Sequence, residues 1–582
     1  MRGDPMNFQK PIYTEQGYCR DCYKCIRHCP VKAIRVENNQ ASIIPERCIY
    51  CGICVDACPV GAKRVRDDLN RAKLLVRRKD RVVASLAPSF ISEFSGIRPG
   101  QLIHALKMLG FHAVSETALG AQEVSAACAE LARTSGNKLF ISTTCPSVVE
   151  LIQKYYPGLS PYLTPFLSTM AVHARMLKRE FGGDTGIVYL SPCIAKQLES
   201  DDPSMKVDVA LTFTLLRQWF EDLGIVLNEI QEDPEDIFLP EPSRDGALYP
   251  ISGGMLQSME VCGGLGEVKT MAFSGVQQIM TALEGIHEAP FKDPLFLELL
   301  ACDGGCVNGP RSHERSGTAS KMLEILRYAR IPEPGLRLPT MDIRREFSEP
   351  PVETREPLRD EMAAALHRLG KSMTSDELDC GGCGYDTCRA LAAAMVDGRA
   401  EVSMCVAYMR KLASNKANAL MRSMPCGVVI VDESMDIVEC NRKFAEILGG
   451  DVLTVFDAKP GMAGADITKV APFHRLFRTE LEDGKAVMKD LRVGGLILRV
   501  SVFTIEPGRV VGGIVYDITE PLVERGLIIQ KAEEVIRKNV TTVQQIAYLL
   551  GENAAETEMI LASIIDSFKV APDSTGNGKS GR

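Results

Sequence analysis

Hydrophobic and polar positions change rhythm several times along the 582 residues. Short apolar, β-type runs stand at VVASLAPSF (82–90), KLFIST (138–143), GIVYLSPC (186–193) and VDVALTF (207–213). Amphipathic stretches such as LIHALKMLGF (102–111) lie between them. Alternating strands and helices predict parallel α/β layers over 80–345, since parallel strands need a crossover that is usually a helix. A basic connector, Lys73 to Arg81, precedes that region. The stretch 346–375 is rich in Pro, Glu and Arg and then turns helical (LRDEMAAALHRLGKS), which reads as a linker into a new small domain. MRKLASNKANALMRSM (409–424) has apolar spacing near 3.6 and predicts a helix. From Gly427 the chain reads strand, turn, strand and a helix starting near Asn441, and VGGLILRVSVFTIEPGRVVGGIVYDITE (493–520) supplies further strands. Residues 521–568 predict a helical tail with heptad-like apolar positions, suited to dimerisation or to docking on a partner. Residues 569–582 are too polar and glycine-rich to order.

Composition narrows the class. Hydrophobic residues make up 45% and charged residues 24%, enough to bury several globular cores. A net charge of −8 argues against nucleic acid as a partner. No apolar run approaches the roughly 20 residues of a membrane helix, and MRGDPMNFQK has no signal-peptide core. The expectation is a cytoplasmic protein with no membrane partner. Twenty cysteines in a reducing compartment point to metal ligation rather than disulfides.

Eight of these cysteines form a repeat. Cys19, Cys22, Cys25 and Cys29-Pro30 read C-x2-C-x2-C-x3-C-P, and Cys48, Cys51, Cys54 and Cys58-Pro59 repeat it. This is the bacterial two-cluster ferredoxin run, in which the fourth cysteine of each copy ligates the other cluster. Cys19, Cys22, Cys25 and Cys58 then hold one 4Fe–4S cluster, and Cys48, Cys51, Cys54 and Cys29 the second. Thiolates two residues apart on a tight loop can wrap a cube corner by corner. A zinc site or disulfides are the alternatives, and the duplication of the whole run speaks against both. Two clusters form an electron relay, which needs a terminus elsewhere in the chain.

Three further cysteine loops follow strand-like runs: Thr143-Thr144-Cys145-Pro146, Ser191-Pro192-Cys193-Ile194-Ala195-Lys196, and Cys302-Asp303-Gly304-Gly305-Cys306. Ligands collect at strand ends in α/β folds. In order and spacing the loops resemble the three signature motifs of the catalytic domain of iron-only (FeFe) hydrogenases. The resemblance covers about 80–345. It implies that Cys145, Cys193, Cys302 and Cys306 bind a 4Fe–4S cube joined through Cys306 to a two-iron subsite bearing CO and cyanide. It further implies that Lys196 hydrogen-bonds a cyanide, and that Pro192 and Ser252-Gly253-Gly254-Met255 line the pocket.

The departures from that family are specific. Thr144 stands where active members carry a proton-relaying cysteine, and a hydroxyl gives up a proton far less readily than a thiol. Ala127 falls at one relay glutamate, Glu130 at the other, and Thr164 at a relay serine. Leu300 and Ser191 replace methionines. The ligand set is intact and the proton path is damaged. The alternative is a domain that binds only a cube, as in hydrogenase-like assembly proteins. Cys128 and Cys262 lie outside any metal spacing and read as buried thiols.

Cys380, Cys383, Cys388 and Cys405 give C-x2-C-x4-C-x16-C, similar to a small 4Fe–4S module of electron-transfer and corrinoid proteins, with a zinc knuckle as the alternative. Residues 415–520, ending in Asp517-Ile518-Thr519-Glu520, resemble a PAS domain. That resemblance implies a five-stranded antiparallel sheet and a pocket whose ligand the sequence leaves unknown. His474 is a structural histidine rather than a haem ligand on this reading, and Cys426 and Cys440 lack a partner set.

The expected architecture is multidomain, α+β and α/β. It comprises a ferredoxin-like module (8–68), a hydrogenase-type domain (80–345), a small helical 4Fe–4S domain (361–412), a PAS domain (415–520), a helical tail (521–568) and a disordered end (569–582). The expected function is a sensory-type, slow hydrogenase-like protein that handles H2, passes electrons through its clusters to a ferredoxin-like redox partner and signals through the PAS domain to a further protein. A homodimer through the PAS domain and tail is a further expectation. A non-catalytic iron–sulfur redox sensor and a hydrogenase working in electron flow are the alternatives.

Overall fold

The computed structural model describes residues 9–519 apart from 287–291, 315, 349 and 354. The predicted tail 521–568 and end 569–582 lie outside the described residues. The chain divides into two compact units, the first ending at Val406 and the second beginning at Ala407.

The first unit opens with two antiparallel strand pairs. Ile12–Thr14 pairs with Lys63–Val65, and Ile34–Glu37 with Gln40–Ile43. Two short helices, Lys24–His28 and Ile53–Asp56, each follow a left-handed residue, Tyr23 (φ 55°) and Gly52 (φ 85°). These are equivalent positions of the two cysteine runs, so the sequence repeat is also a backbone repeat.

The α/β region carries two parallel sheets. One has the order Ala113–Glu116, Val82–Leu86, Gly186–Ser191, Val209–Thr212. The other has the order Lys269–Ser274, Leu295–Leu300, Leu139–Ile141. Val82–Leu86, Gly186–Ser191 and Leu295–Leu300 are buried along their whole length, which is why their sequences run apolar without alternation. The first sheet is enclosed by a core that includes Leu86, Leu106, Phe213 and Trp219, the second by one that includes Ile141, Ile152 and Leu297.

The small cysteine domain, with helices Arg359–Arg368 and Cys388–Val396, docks on the N-terminal module. Lys32 Nζ donates to Gly384 O at 2.9 Å, Arg27 to Gly382 O at 3.2 Å, and the Val36 amide to Arg399 O at 3.0 Å.

In the second unit, a five-stranded antiparallel sheet has the order Ile437–Cys440, Gly427–Asp432, Val510–Asp517, Leu496–Glu506, Val487–Val493. Asn441 caps the helix Arg442–Leu448, accepting from the Phe444 amide at 3.0 Å. Its side chain also accepts from the Val428 amide and donates to Cys426 O and Met421 O. One buried amide thus ties the helix Val406–Ser423 to the first strand and to the next helix.

Candidate functional site

The cysteine loops leave the carboxyl ends of strands from both parallel sheets. Cys145 lies past Leu139–Ile141 and caps the helix Pro146–Tyr155. Cys193 follows Gly186–Ser191, and its amide donates to Ser191 Oγ at 3.3 Å. Cys302 follows Leu295–Leu300, and Cys306 opens the turn Cys306–Asn308. Gly305 lets that last loop close: its φ is +102°, and a Cβ there would lie 2.3 Å from Pro250 O. Cys145, Cys193, Cys302 and Cys306 all line one cavity, together with Thr144, Pro192, Lys196, Leu300 and Cys51.

The donor set suits an iron–sulfur cube. Burial pushes the Cys193 thiol up to about 11, and Cys145 beside it adds to the shift while Lys196 opposes it. Cys302 and Cys306 are raised by burial first and then by each other, Cys193 and Cys145. Sulfurs this close resist ionising together, so the metal-free chain keeps them protonated and a bound cation displaces those protons. Among the described residues no three His, Cys, Asp or Glu side chains converge on a single-ion site. Thiols that each take a different corner of a cube are not expected to converge that closely. Lys196, on the helix Ala195–Ser200, brings a cation to the cavity and is held by Glu199 at 2.7 Å.

The N-terminal cysteines group in the same way. Cys25 feels Cys19, Cys22 and Cys58, whereas Cys54 feels Cys51, Cys48 and Cys29. The fourth cysteine of each run thus sits with the other run's first three. Burial is the larger cause in both cases, taking Cys25 up to about 11. Cys302 also feels Cys51, so the second N-terminal set abuts the cavity. In the small domain Cys383 is raised by burial, then by Cys405 and Cys380. Cys388 starts its helix, and its amide donates to Asp379 Oδ1 at 2.6 Å. Tyr385 neighbours both Cys383 and Cys29.

Other residues singled out from sequence are placed as follows. Ser252, Gly253 and Gly254 do not line the cavity. They lead into the helix Gly254–Val261, whose Met255 and Leu256 amides face the Glu298 carboxylate. Tyr249 and Pro250, just upstream, line it instead. Thr164 is buried and bonds Thr143 Oγ1 at 3.0 Å, and Cys128 also bonds it. Glu130 and Ala127 lie on the helix Ala118–Thr134, outside the cavity wall, with Ala127 buried in an apolar cluster. Cys128 and Cys262 are buried in that same cluster. His474 bonds Ala471 O at 3.0 Å at the start of its helix, and Cys426 and Cys440 are buried. Sequence reasoning passed over Tyr249, Thr117 and Glu199. The one available signal was the Tyr249-Pro250 step before the glycine pair.

Family comparison decides what this cavity belongs to. Residues 80–310 match the family model described as iron only hydrogenase large subunit, C-terminal domain. This region is an iron-only hydrogenase-type domain. Residues 11–59 of the hydrogenase-like chain match a 4Fe–4S dicluster domain, 376–407 a putative Fe–S cluster family, and 415–487 a PAS domain. The protein is therefore a hydrogenase-like iron–sulfur protein with a PAS domain. A curated relative, iron hydrogenase 1 of Clostridium pasteurianum, is 24% identical over 298 residues, covering 42% of this chain and 51% of that protein. The chain thus spans about half the length of the curated relative it matches. A solved structure of the FeFe-hydrogenase HydA1 from Chlamydomonas reinhardtii is 18% identical, covering 47% of this chain and 91% of that one, with a TM-score of 0.36. The PAS domain of an HTR-like protein from Haloarcula marismortui is 20% identical, covering 19% of this chain and 94% of that one, with a TM-score of 0.15. Among the described residues no helix is long and apolar enough to cross a membrane.

Proposed function

We propose that the protein reacts with H2 at the cysteine-lined cavity, slowly, and reports the redox state of that site through its clusters to the PAS domain. The observation that carries this reading is the convergence of four cysteines, Lys196 and the N-terminal module's Cys51 on one cavity.

On this reading Cys145, Cys193, Cys302 and Cys306 hold a 4Fe–4S cube, with Cys306 shared with a two-iron unit bearing CO and cyanide. That unit, when bound, supplies the heterolytic chemistry of H2. The chain's own residues orient and insulate it. Lys196, fixed by Glu199, offers ammonium hydrogens to an anionic ligand. Pro192 and Leu300 close the wall against water. Thr144 occupies the position of a proton-relaying cysteine and holds its proton too tightly for fast exchange. Electrons pass to the Cys48, Cys51, Cys54 and Cys29 cluster, whose Cys51 abuts Cys302, and then to the Cys19, Cys22, Cys25 and Cys58 cluster. Cys380, Cys383, Cys388 and Cys405 hold a third cluster beside the module, with Tyr385 near Cys29. A ferredoxin-like protein is the redox partner and a signalling protein the downstream one.

The test is the infrared spectrum of the matured protein with dye-coupled H2 oxidation. Bands of bound CO and cyanide with slow turnover support the reading. A spectrum without them, on a protein that keeps its cubes, leaves a non-catalytic redox sensor. Thr144 and the apolar surroundings of Ala127 favour that second reading.

A further inference from the structure

The hydrogenase-type domain contains a single file of buried polar side chains that no family motif accounts for. Tyr249, on the cavity wall, bonds Ser125 Oγ at 2.8 Å. Ser125 Oγ donates to Ser258 Oγ at 2.7 Å, and Ser258 Oγ donates to Asp245 Oδ2 at 2.5 Å. Arg337 closes the outer end, donating to both Asp245 oxygens at 2.9 and 2.7 Å. Ser125, Ser258 and Asp245 are fully buried, whereas the Arg337 side chain is 29% exposed. The file therefore runs from cavity to surface.

Its donors all point one way. Ser125 spends its hydrogen on Ser258, so the Tyr249 hydroxyl donates to Ser125. The scaffold fixes this alignment. A Cβ on Gly246 would lie 2.0 Å from Ala118 O, and one on Gly254 1.8 Å from Leu248 O. Those two glycines bring the Asp245–Leu248 turn and the helix Gly254–Val261 against the helix Ala118–Thr134. Ser125 otherwise sits among Ala121, Val124, Ala126 and Ala129, where an unpaired hydroxyl is costly. A second hydroxyl chain, from Thr117 through Ser85 and His173, reaches Ser115, which is fully buried, and so offers no exit.

We propose that Tyr249, Ser125, Ser258 and Asp245 form a proton relay between the cavity and the surface, with Arg337 as its outer gate. The relay rests on the hydrogen chemistry proposed above and takes over where Thr144 and Ala127 interrupt the route that the family resemblance implies. A proton leaving the cavity binds Tyr249 Oη as the phenolic proton moves to Ser125, that of Ser125 to Ser258, and that of Ser258 to Asp245. Each oxygen forms one O–H bond and each hydroxyl breaks one, so only Asp245 changes charge. Asp245 passes the proton to water as its pair with Arg337 opens, and rotation of the hydroxyls resets the file. No electrons move along it.

The test compares matured full-length parent, Ser125→Ala, Ser125→Thr, Tyr249→Phe and the Ser125→Ala/Tyr249→Phe double variant. Two readouts are taken: dye-coupled H2 oxidation, and the rate at which the CO and cyanide bands change under H2 in H2O and D2O. The expected result is unshifted resting bands, at least about a tenfold loss of both rates in Ser125→Ala and Tyr249→Phe, and rescue by Ser125→Thr. The double variant is no slower than either single one, because a chain cut twice is still one cut. Rates within twofold of parent, additive losses, or resting bands that disappear with the rate would overturn the relay. A parent that carries the bands but never responds to H2 removes the hydrogen-chemistry reading and the relay with it.

Discussion

Gly52 lies where a Cβ would stand 2.6 Å from Pro310 and 2.9 Å from Ile194. The equivalent left-handed position in the first cysteine run is Tyr23, which has room for a full side chain. The same local conformation thus tolerates tyrosine where the loop faces away from the hydrogenase-type domain and requires glycine where it is pressed against it. Gly52→Ala is expected to cost about 1–2 kcal/mol for the backbone alone and to lift the Cys51 loop from the cavity. A lowered melting temperature, with slower electron transfer from the cavity to the N-terminal clusters in stopped-flow spectra, would show it. A variant matching the parent in both would mean that the contact is slack.

Thr144→Cys places a thiol on the cavity wall without changing the ligand cysteines. If proton supply limits the reaction, dye-coupled H2 oxidation rises, on the order of a hundredfold. An unchanged rate, with CO and cyanide bands intact, would place the limit elsewhere.

His173 is fully buried between Ser85 and Ser115, and burial lowers its pKa from 6.5 to about 3. The unfolded chain therefore takes up this proton first. Stability is expected to fall by about 1.4 kcal/mol per pH unit as pH drops below 6.5, until the folded value near 3 is reached. His173→Gln should flatten that dependence in denaturant titrations across the range. A slope identical to the parent's would mean that the imidazole is protonated in place.

Asn441→Ala strips four hydrogen bonds from one buried point of the PAS sheet and leaves the Val428 and Phe444 amides without their side-chain acceptor. A loss of about 2–4 kcal/mol is expected in the unit that begins at Ala407. Calorimetry on the full chain should show one transition moving down while the iron–sulfur unit's stays in place. A shift of both transitions together would indicate that the two units unfold as one.

Replacing Cys383, which faces Cys405 and Cys380, is expected to remove one cluster's worth of iron and sulfide and no more. Iron analysis and electron paramagnetic resonance on the reduced protein test this. Retention of all iron would make the small domain a zinc or structural module.

The cysteine repeats, the strand-like runs and the PAS-type end were legible because each depends on local spacing. Thiols two residues apart, fully apolar strands and a strand–turn–strand rhythm carry their meaning within a few neighbours. The cavity wall was less legible. Ser252-Gly253-Gly254 resembled a pocket segment, but those residues turn into a helix facing Glu298, and Tyr249 and Pro250 reach the cavity in their place. A segment's identity did not fix which of its side chains points inward.

The sequence by itself determined which residues are able to bind iron, because ligation is written in residue type and spacing, and it determined that Thr144 lacks a thiol. Only the tertiary structure decided that Cys51 meets Cys302, that Glu199 holds Lys196 and that Ser125, Ser258 and Asp245 line up from Tyr249 to Arg337. Those pairings join residues far apart in the chain. They exist because two parallel sheets deliver their strand ends to one place and glycines at 52, 246 and 254 let neighbouring backbones close in.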